Sequence, residues 1–164
     1  MTLKDIKGGG TVFIDANIFI YHFTGVSLEC KDFLSMCSDS ISGTTNASVC
    51  AEILHRLMCI EAVSKGLVTV GNVVKKLQRQ PKVVQELKDY SCHVDSIPKM
   101  NISILPIDEL VIKTSAEIRR ETGLLVNDSL IVATMQKNGI TNLATNDNAF
   151  DKVKGITVYK PTDV

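Results

Sequence analysis

The chain alternates between short apolar runs and longer segments in which apolar residues recur every three or four positions. Most of the short runs contain β-branched side chains and stand beside turn-forming residues, a pattern typical of buried strands. Five such runs predict strands at residues 11–15, 41–45, 102–105, 142–145 and 156–159. The first of these strands would carry Asp15 at its carboxyl end.

The longer segments carry helix signals at both ends. Serine, asparagine or aspartate can cap their first turns, and glycine follows the last turn of three of them. These signals predict helices at residues 27–37, from 46 or 48 to 65, 108–121 and 127–137. For the second helix, Asn46 and Ser48 are alternative caps. Between residues 68 and 100, two further helical stretches are divided by Pro81, and Pro98 closes the second.

Strands separated by helices favour a mostly parallel sheet, because each parallel connection has to return to the other end of the sheet. We therefore predict an α/β fold, a three-layer α/β/α sandwich with a central sheet of about five strands. The 164 residues can bury one core and are few for two ordinary domains. Residues 1–164 are accordingly expected to form a single domain.

Composition restricts the class of protein. Hydrophobic residues make up 45% and charged residues 22% of the chain, the balance of a soluble globular protein. No apolar run approaches the roughly 18 residues of a membrane-spanning helix. Three glycines at residues 8–10 stand where a secretory signal needs apolar residues. The expected location is therefore cytoplasmic, with no membrane partner.

Cysteine, histidine and overall charge point to no particular ligand. The five cysteines contain no Cys-x-x-Cys pair, and the three histidines lack zinc-ligand spacing, so structural zinc is not expected. The formal net charge is zero, so any nucleic-acid surface has to be local. The basic segment 75–88 is either a solvated helical face or an RNA-contacting patch. Arg56, Arg119 and Arg120 are equally open as RNA contacts.

Four acidic residues are expected to meet at one edge of the sheet. Asp15 and Asp147 follow predicted strands, and ligands of parallel sheets bind beyond the carboxyl ends of the strands. Asp128 stands at the start of a helix, and Glu52 lies in the first turns of the helix after the second strand. All four side chains can therefore point toward the same pocket.

Each acid also has a structural explanation when it is taken alone. Asp15 can form an Asx turn or cap a helix, and Asp128 can complement a helix dipole. Asp147 can serve a turn, and Glu52 can face solvent. Together they repel, because two carboxylates about 4 Å apart cost about 4 kcal/mol at an effective dielectric of about 20. Carboxylate oxygens without a thiol or imidazole set suit Mg²⁺ or Mn²⁺, which would offset that repulsion.

Four segments resemble the successive motifs of the PIN-domain nucleases. They are residues 12–19 (VFIDANIF), 51–57 (AEILHRL), 127–134 (NDSLIVAT) and 143–150 (LATNDNAF). One such motif is weak, whereas four in the family's order across nearly the whole chain are fairly specific. The resemblance implies a parallel sheet with helices on both faces, and RNA cleavage with Mg²⁺ or Mn²⁺.

The resemblance also implies roles for individual residues. The catalytic metal ligands it implies are Asp15, Glu52, Asp128 and Asp147. Asn17 and Thr145 are implied as polar support. The third motif departs from the family, because Asn127-Asp128-Ser129 replaces the commoner Asp-Ala beginning, and the small Ser129 should be tolerated.

A stand-alone domain of this size also resembles VapC-type toxins, which implies a homodimer and a small antitoxin partner. Ribosomal-RNA-processing relatives and other stand-alone PIN proteins share the motifs, so the biological role stays open between them. The alternative to an enzyme is a catalytically silent PIN-like module that binds RNA or protein. Retention of all four acids favours the enzyme.

Three other kinds of site fit the sequence less well. A haloacid-dehalogenase phosphatase needs a second acid two residues after the first, where this chain has Asn17. A nucleotide-binding P-loop needs glycines after a strand, whereas residues 8–10 precede one. Glu52 and His55 form one Glu-x-x-His step, and a di-iron bundle needs a second copy.

Overall fold

The structure is a computed structural model that describes residues 1–164. Its five strands are β1 (Thr11–Ile14), β2 (Ser42–Asn46), β3 (Ile102–Leu105), β4 (Asn142–Ala144) and β5 (Thr157–Tyr159). Their order across the sheet is β3-β2-β1-β4-β5, and all four neighbouring pairs are parallel. The predicted parallel sheet of five strands is confirmed.

Helices cover both faces of the sheet. They are α1 (Ala16–Phe23), α2 (Leu28–Asp39), α3 (Ala47–Ser64), α4 (Val73–Arg79), α5 (Pro81–Glu86), α6 (Asp89–Ser96), α7 (Glu109–Thr122) and α8 (Val126–Lys137). The chain steps from β1 to β2 and β3 in one direction and then returns to β4. Right-handed connections therefore place α7 and α8 on one face and the earlier helices on the other. Since α7 packs along α8 and α1 packs against α2 and α3, the predicted α/β/α sandwich is confirmed.

The central strand β1 is buried on both faces. Val12, Phe13 and Ile14 have no solvent exposure, which explains why the strand is a continuous apolar run instead of an alternating one. Asp15 follows the strand and caps α1, so the strand ends one residue earlier than predicted. The core thus fixes the point at which the first acid leaves the sheet.

The neighbouring strand β2 is polar in sequence but buried in the structure. Thr45 satisfies its hydroxyl by donating to the carbonyl oxygen of Ile14 at 3.0 Å. At Gly43, a Cβ atom would lie 2.9 Å from Cγ1 of Ile102, closer than side-chain carbons approach one another. Glycine is therefore required where β2 passes against β3.

The prediction of two helices between residues 68 and 100 is wrong, because this part of the chain forms three, α4, α5 and α6. Pro81 does begin a new helix, as expected for its position in the first turn. The additional break precedes α6, where Glu61 of α3 accepts hydrogen bonds from the backbone N–H groups of Lys88 at 3.0 Å and Tyr90 at 2.9 Å. A distant side chain thus sets the start of this helix.

Two chain-wide features follow from the side chains. No α-helix combines the length and the apolar character needed to span a membrane. All five cysteines are free; three are buried, Cys59 is partly buried and Cys92 is exposed.

Candidate active site at the carboxyl edge of the sheet

Asp15 and Asp147 follow β1 and β4, which lie side by side in the sheet. These strands are neighbours although the chain first runs outward from β1 to β3 and only then returns. Such a reversal opens a crevice beyond the carboxyl ends of the two strands, where open α/β proteins bind their ligands. Asp15 directly follows β1, and the segment 145–147 directly follows β4.

Asp15 is held by three hydrogen bonds and is 7% exposed. Its Oδ1 accepts from the backbone N–H of Ala16 at 2.6 Å. Its Oδ2 accepts from Asn17 Nδ2 at 2.6 Å and from Thr145 Oγ1 at 2.7 Å. A carboxylate offers about four lone-pair positions. Asp15 therefore caps α1, as its structural explanation required, and still keeps one position on Oδ1 for a ligand.

Asn17 and Thr145 connect the two strand ends across the crevice. The amide nitrogen of Asn17 also donates to Thr145 Oγ1 at 3.0 Å, and its carbonyl oxygen accepts from the backbone N–H of Asn146 at 3.0 Å. Thr145 Oγ1 in turn accepts from the backbone N–H of Asp147 at 3.0 Å. Both side chains predicted as polar support thus contact Asp15 and orient the backbone that carries Asp147.

Asp147 lies on the exposed side of the crevice. It caps the short 3-10 turn Asn148–Lys152 by accepting from the backbone N–H of Ala149 at 2.8 Å through Oδ1. Its Oδ2 takes no part in that bond. The turn explanation and a ligand role are therefore compatible at this residue.

Glu52 reaches the site because Asn46 fixes where α3 begins. The side-chain oxygen of Asn46 accepts from the backbone N–H of Val49 at 3.0 Å, which decides between the two caps left open by the sequence. The amide of Asn46 also donates to Thr134 Oγ1 of α8 at 3.0 Å. This contact joins the two helices that carry Glu52 and Asp128, and nothing in the sequence indicated it.

Asp128 lies partly buried in the first turn of α8, which begins one residue earlier than predicted. The start of this helix is held against α7 by Arg119, whose guanidinium donates to Ser115 Oγ at 3.0 Å and to Ser129 Oγ at 2.9 Å. The small Ser129 therefore serves as an acceptor for Arg119. Sequence reasoning treated it only as a tolerated departure from the family motif.

The pKa values link the four acids to one another. Burial raises the pKa of Asp15 to about 6 against the hydrogen bonds that it accepts, and the charges of Glu52 and Asp128 raise it further. Burial also raises the pKa of Asp128, followed by the charges of Asp147 and Glu52. Each of the four carboxylates therefore takes part in at least one such interaction, as expected for groups that face a common space.

The four carboxylates interact electrostatically, but they do not form a closed set of metal ligands. No three aspartate, glutamate, histidine or cysteine side chains stand close enough together to hold a metal ion. Repulsion between ionised carboxylates favours such a separation when no cation lies among them. The candidate ligands are carboxylate oxygens, which fit a hard divalent cation such as Mg²⁺ or Mn²⁺. The assignment of the four acids as metal ligands stays a prediction.

A surface depression adjoins the crevice between α3 and the start of α8. Its volume is about 550 Å³, and we call it the α3–α8 depression. Its lining residues are Ser48, Ala51, Glu52, His55, Arg56 and Asn127. Only the alanine is apolar, so the depression is a polar extension of the acidic site.

The fold and the site together define an open α/β protein with an acidic site at the carboxyl edge of a parallel sheet. The sequence matches the family model of the PIN domain over residues 12–156, which is most of the chain. The chain belongs to the PIN domain family, and the resemblance noted in the sequence is confirmed.

Relatives match nearly the whole chain. Ribonuclease VapC6 of Methanocaldococcus jannaschii is 31% identical over 150 residues, covering 91% of this chain and 96% of that protein. Ribonuclease VapC2 of the same organism is 28% identical over 151 residues, covering 91% and 93%. The solved structure of VapBC2 from Rickettsia felis, bound to a DNA fragment from its promoter, matches with a TM-score of 0.60 at 17% identity. That match covers 92% of this chain and 98% of the solved chain and concerns the fold alone.

Proposed function

We propose that the protein is a divalent-metal-dependent ribonuclease that hydrolyses RNA phosphodiester bonds. The main support is the mutual influence of Asp15, Glu52, Asp128 and Asp147 at the crevice of a PIN-domain chain. The two sequence relatives, which match 91% of the chain, carry the name ribonuclease. Asp15 is buried and Asp128 is partly buried among like charges, and a divalent cation would offset their repulsion.

In this proposal the four acids bind Mg²⁺ or Mn²⁺. Asp15 and Asp147 would be available as ligands, because Asp15 keeps a free lone pair on Oδ1 and the capping bond of Asp147 leaves its Oδ2 free. When bound, such an ion lowers the pKa of its water and neutralises charge that develops on the phosphate. Asn17 and Thr145 keep the Asp15 carboxylate oriented, because both donate to its Oδ2, and hydrogen bonds to the charged form favour that form.

The biological setting forms the finer part of the proposal. We place the protein in the cytoplasm as a homodimer with RNA as its substrate and a small antitoxin as its partner. Residues 1–164 would act as one PIN-like domain. The ribonuclease names of the sequence relatives support the RNA substrate, and the VapBC assembly of the structural relative supports the antitoxin partner.

The second candidate is a PIN-like module that binds RNA or protein without cutting it. The observation that favours this candidate is the separation of the carboxylates, because no three of them stand close enough together to hold a metal ion. The two candidates differ in one measurable property, the cleavage of bound RNA.

The deciding experiment is cleavage of single-stranded RNA with and without Mg²⁺ or Mn²⁺. We expect cleavage with metal, its loss with chelator, and at least a roughly 100-fold loss in Asp15→Asn and Asp147→Asn, since even outer-shell residues of metal sites are worth about 10- to 100-fold. Asp95→Asn, an exposed acid of α6, is the matched control and should cleave normally. RNA that is bound but stays intact under every metal condition would establish the binding module instead.

A further inference from the structure

Several cations of the chain already have protein partners. The guanidinium of Arg119 donates to two serine hydroxyls. The lysines engaged in ion pairs are Lys4, Lys65, Lys113, Lys137 and Lys160. Arg56 takes part in none of these ion pairs and is exposed. Of the basic residues left open as RNA contacts by the sequence, Arg56 is thus available to an external anion.

Arg56 also lies beside the acidic site. It follows Glu52 by four residues, and residues four apart lie on the same face of a helix. Both residues line the α3–α8 depression. Their backbone positions are about 6 Å apart along the helix axis, on the scale of one nucleotide step. An RNA strand cut at the acids would therefore meet Arg56 at a neighbouring nucleotide.

We propose that the α3–α8 depression is the subsite for the nucleotide next to the cleaved bond, and that Arg56 binds the phosphate of that nucleotide. This inference rests on the proposed ribonuclease function. The planar guanidinium matches phosphate oxygens in a bidentate fashion, and it stays charged at any working pH. The volume of about 550 Å³ is within the range of small-ligand sites, which is about 300 to 1,000 Å³.

The lining of the depression favours a nucleotide over a protein segment. Protein interfaces are anchored by buried apolar or aromatic side chains, whereas the single apolar residue here is Ala51. Ser48 and Asn127 add neutral hydrogen-bonding groups. Glu52 repels a phosphate by its charge, so Arg56 is the permanently cationic group that would hold one in this depression.

The first test measures RNA affinity without catalysis. A fluorescent single-stranded RNA is titrated with metal-free protein in chelator over a series of salt concentrations. Arg56→Ala should weaken binding by about tenfold and make the slope of log affinity against log salt shallower by about 0.7, the value for one lost phosphate contact on a single strand. Arg56→Lys should keep the slope and lose part of the affinity. Lys31→Ala, exposed on α2 and outside the lining, is the matched control for the loss of one positive charge.

The second test uses kinetics with Mn²⁺. Arg56→Ala should raise KM for RNA with little change in kcat, because the contact is the same in the ground state and the transition state. Cleavage of bis(p-nitrophenyl) phosphate, a diester without a neighbouring nucleotide, should not change. A structural defect would lower both activities, so equal losses on both substrates would overturn the subsite.

The outcomes separate this inference from the function on which it rests. If wild type cleaves RNA and Arg56→Ala binds and cleaves it as well as wild type does, the subsite is wrong and the ribonuclease stands. If wild type leaves RNA intact, both proposals fall. Unchanged RNA affinity in Arg56→Ala combined with lost binding of a protein partner would assign the depression to protein docking.

Discussion

Asp15 and Glu61 are buried to almost the same degree, at 7% and 6% exposure, yet their pKa values move in opposite directions. Burial raises the pKa of Asp15 to about 6, and neighbouring carboxylates add to the rise. Burial by itself would also raise the pKa of Glu61, but hydrogen bonds from Lys65 and from backbone N–H groups lower it to about 2. The charge of the surrounding groups therefore decides the direction of the pKa shift.

Glu61 is surrounded by donors of positive or partly positive charge. Its Oε1 accepts from Lys65 Nζ at 2.6 Å and from the backbone of Lys88 at 3.0 Å, and its Oε2 accepts from the backbone of Tyr90 at 2.9 Å. Lys65 also contacts Asp89 at 2.9 Å, at the start of α6. The charge of Glu61 is thus neutralised within the protein, and its role is to attach α6 to α3.

Asp15 accepts hydrogen bonds from neutral donors only. These donors fix the orientation of the Asp15 carboxylate, but they do not neutralise its charge. The charges that act on its pKa are the negative charges of Glu52 and Asp128. One helix shows both situations, because α3 carries Glu52 near the crevice and Glu61 more than two turns further on. A buried acid with its own cation is structural, whereas a buried acid among like charges is typical of a functional site.

The largest expected effect concerns Glu61, the structural one of the two buried acids. Glu61→Ala should lower the free energy of unfolding by about 3 kcal/mol, because it leaves Lys65 and two backbone donors without their acceptor. Urea unfolding followed by circular dichroism measures this value. RNA cleavage well below the unfolding midpoint should be unaffected, since Glu61 lies away from the crevice acids.

Glu86→Ala, an exposed acid of α5, controls for the loss of a negative charge and should change stability by less than about 0.5 kcal/mol. A change below about 1 kcal/mol in Glu61→Ala would show that the ion pair of Glu61 with the partly exposed Lys65 contributes little.

The second largest expected effect concerns the proposed metal site, to which Asp15 belongs. Millimolar Mn²⁺ should raise the melting temperature, because a ligand of the folded state alone adds about 2.7 kcal/mol at 100 times its Kd. Asp147→Asn should abolish most of the shift, whereas Glu61→Gln should melt lower and keep the shift. A melting curve that is indifferent to Mn²⁺ would contradict a shared cation site.

The two acids should also give the unfolding free energy opposite dependences on pH. The folded-state pKa of Glu61 is depressed from 4.5 to about 2, so its contribution is present above about pH 4.5 and is lost as the pH falls toward 2. The pKa of Asp15 is raised from 3.8 to about 6, so the folded state binds the proton more tightly. Metal-free protein should therefore gain up to about 2 kcal/mol as the pH falls from about 6 to 4.

Difference curves isolate these contributions from the other carboxyl groups of the chain. The unfolding free energy of wild type minus that of Asp15→Asn, both in chelator, should rise as the pH falls from about 6 to 4. The unfolding free energy of wild type minus that of Glu61→Gln should fall as the pH drops below about 4.5. A loss of stability between pH 6 and 4 in the first difference curve would mean that the Asp15 charge is neutralised by the protein after all.

The sequence predicted the parts of the fold that depend on local patterns. The run Val12, Phe13 and Ile14 is apolar because both faces of β1 are covered, and the acids after β1 and β4 follow from where those runs stop. Parallel strands then bring their carboxyl ends to one edge by geometry alone. The fold class and the position of Asp15 and Asp147 after neighbouring strands could therefore be predicted from the sequence.

The parts that were missed depend on contacts between distant residues. Glu61 looks like one more acid in a helix, and only its contacts across 27 and 29 residues separate α5 from α6. The contact of Asn46 with Thr134, across 88 residues, and that of Arg119 with Ser129 likewise link elements whose packing the pattern does not specify. The contacts of Asn46 and Arg119 position the helices that carry Glu52 and Asp128, so the sequence could group the acids without fixing their geometry.

The smallest expected effect tests whether the charge of Asp128 is functional or structural. Two opposing terms act on it: its place in the first turn of α8 favours a negative charge by about 0.3 to 1 kcal/mol, and burial beside Asp147 and Glu52 disfavours it. Since its pKa is raised, the second term is larger. Asp128→Asn should therefore stabilise the metal-free protein slightly in urea unfolding.

The sign of this effect should reverse when metal is present. With saturating Mn²⁺, wild type gains the binding free energy that Asp128→Asn largely forgoes, so wild type becomes the more stable protein. Asp95→Asn, the exposed control, should behave like wild type in both conditions. If Asp128→Asn is already less stable without metal, the helix dipole governs this residue, and Asp128 belongs with Glu61 among the structural acids.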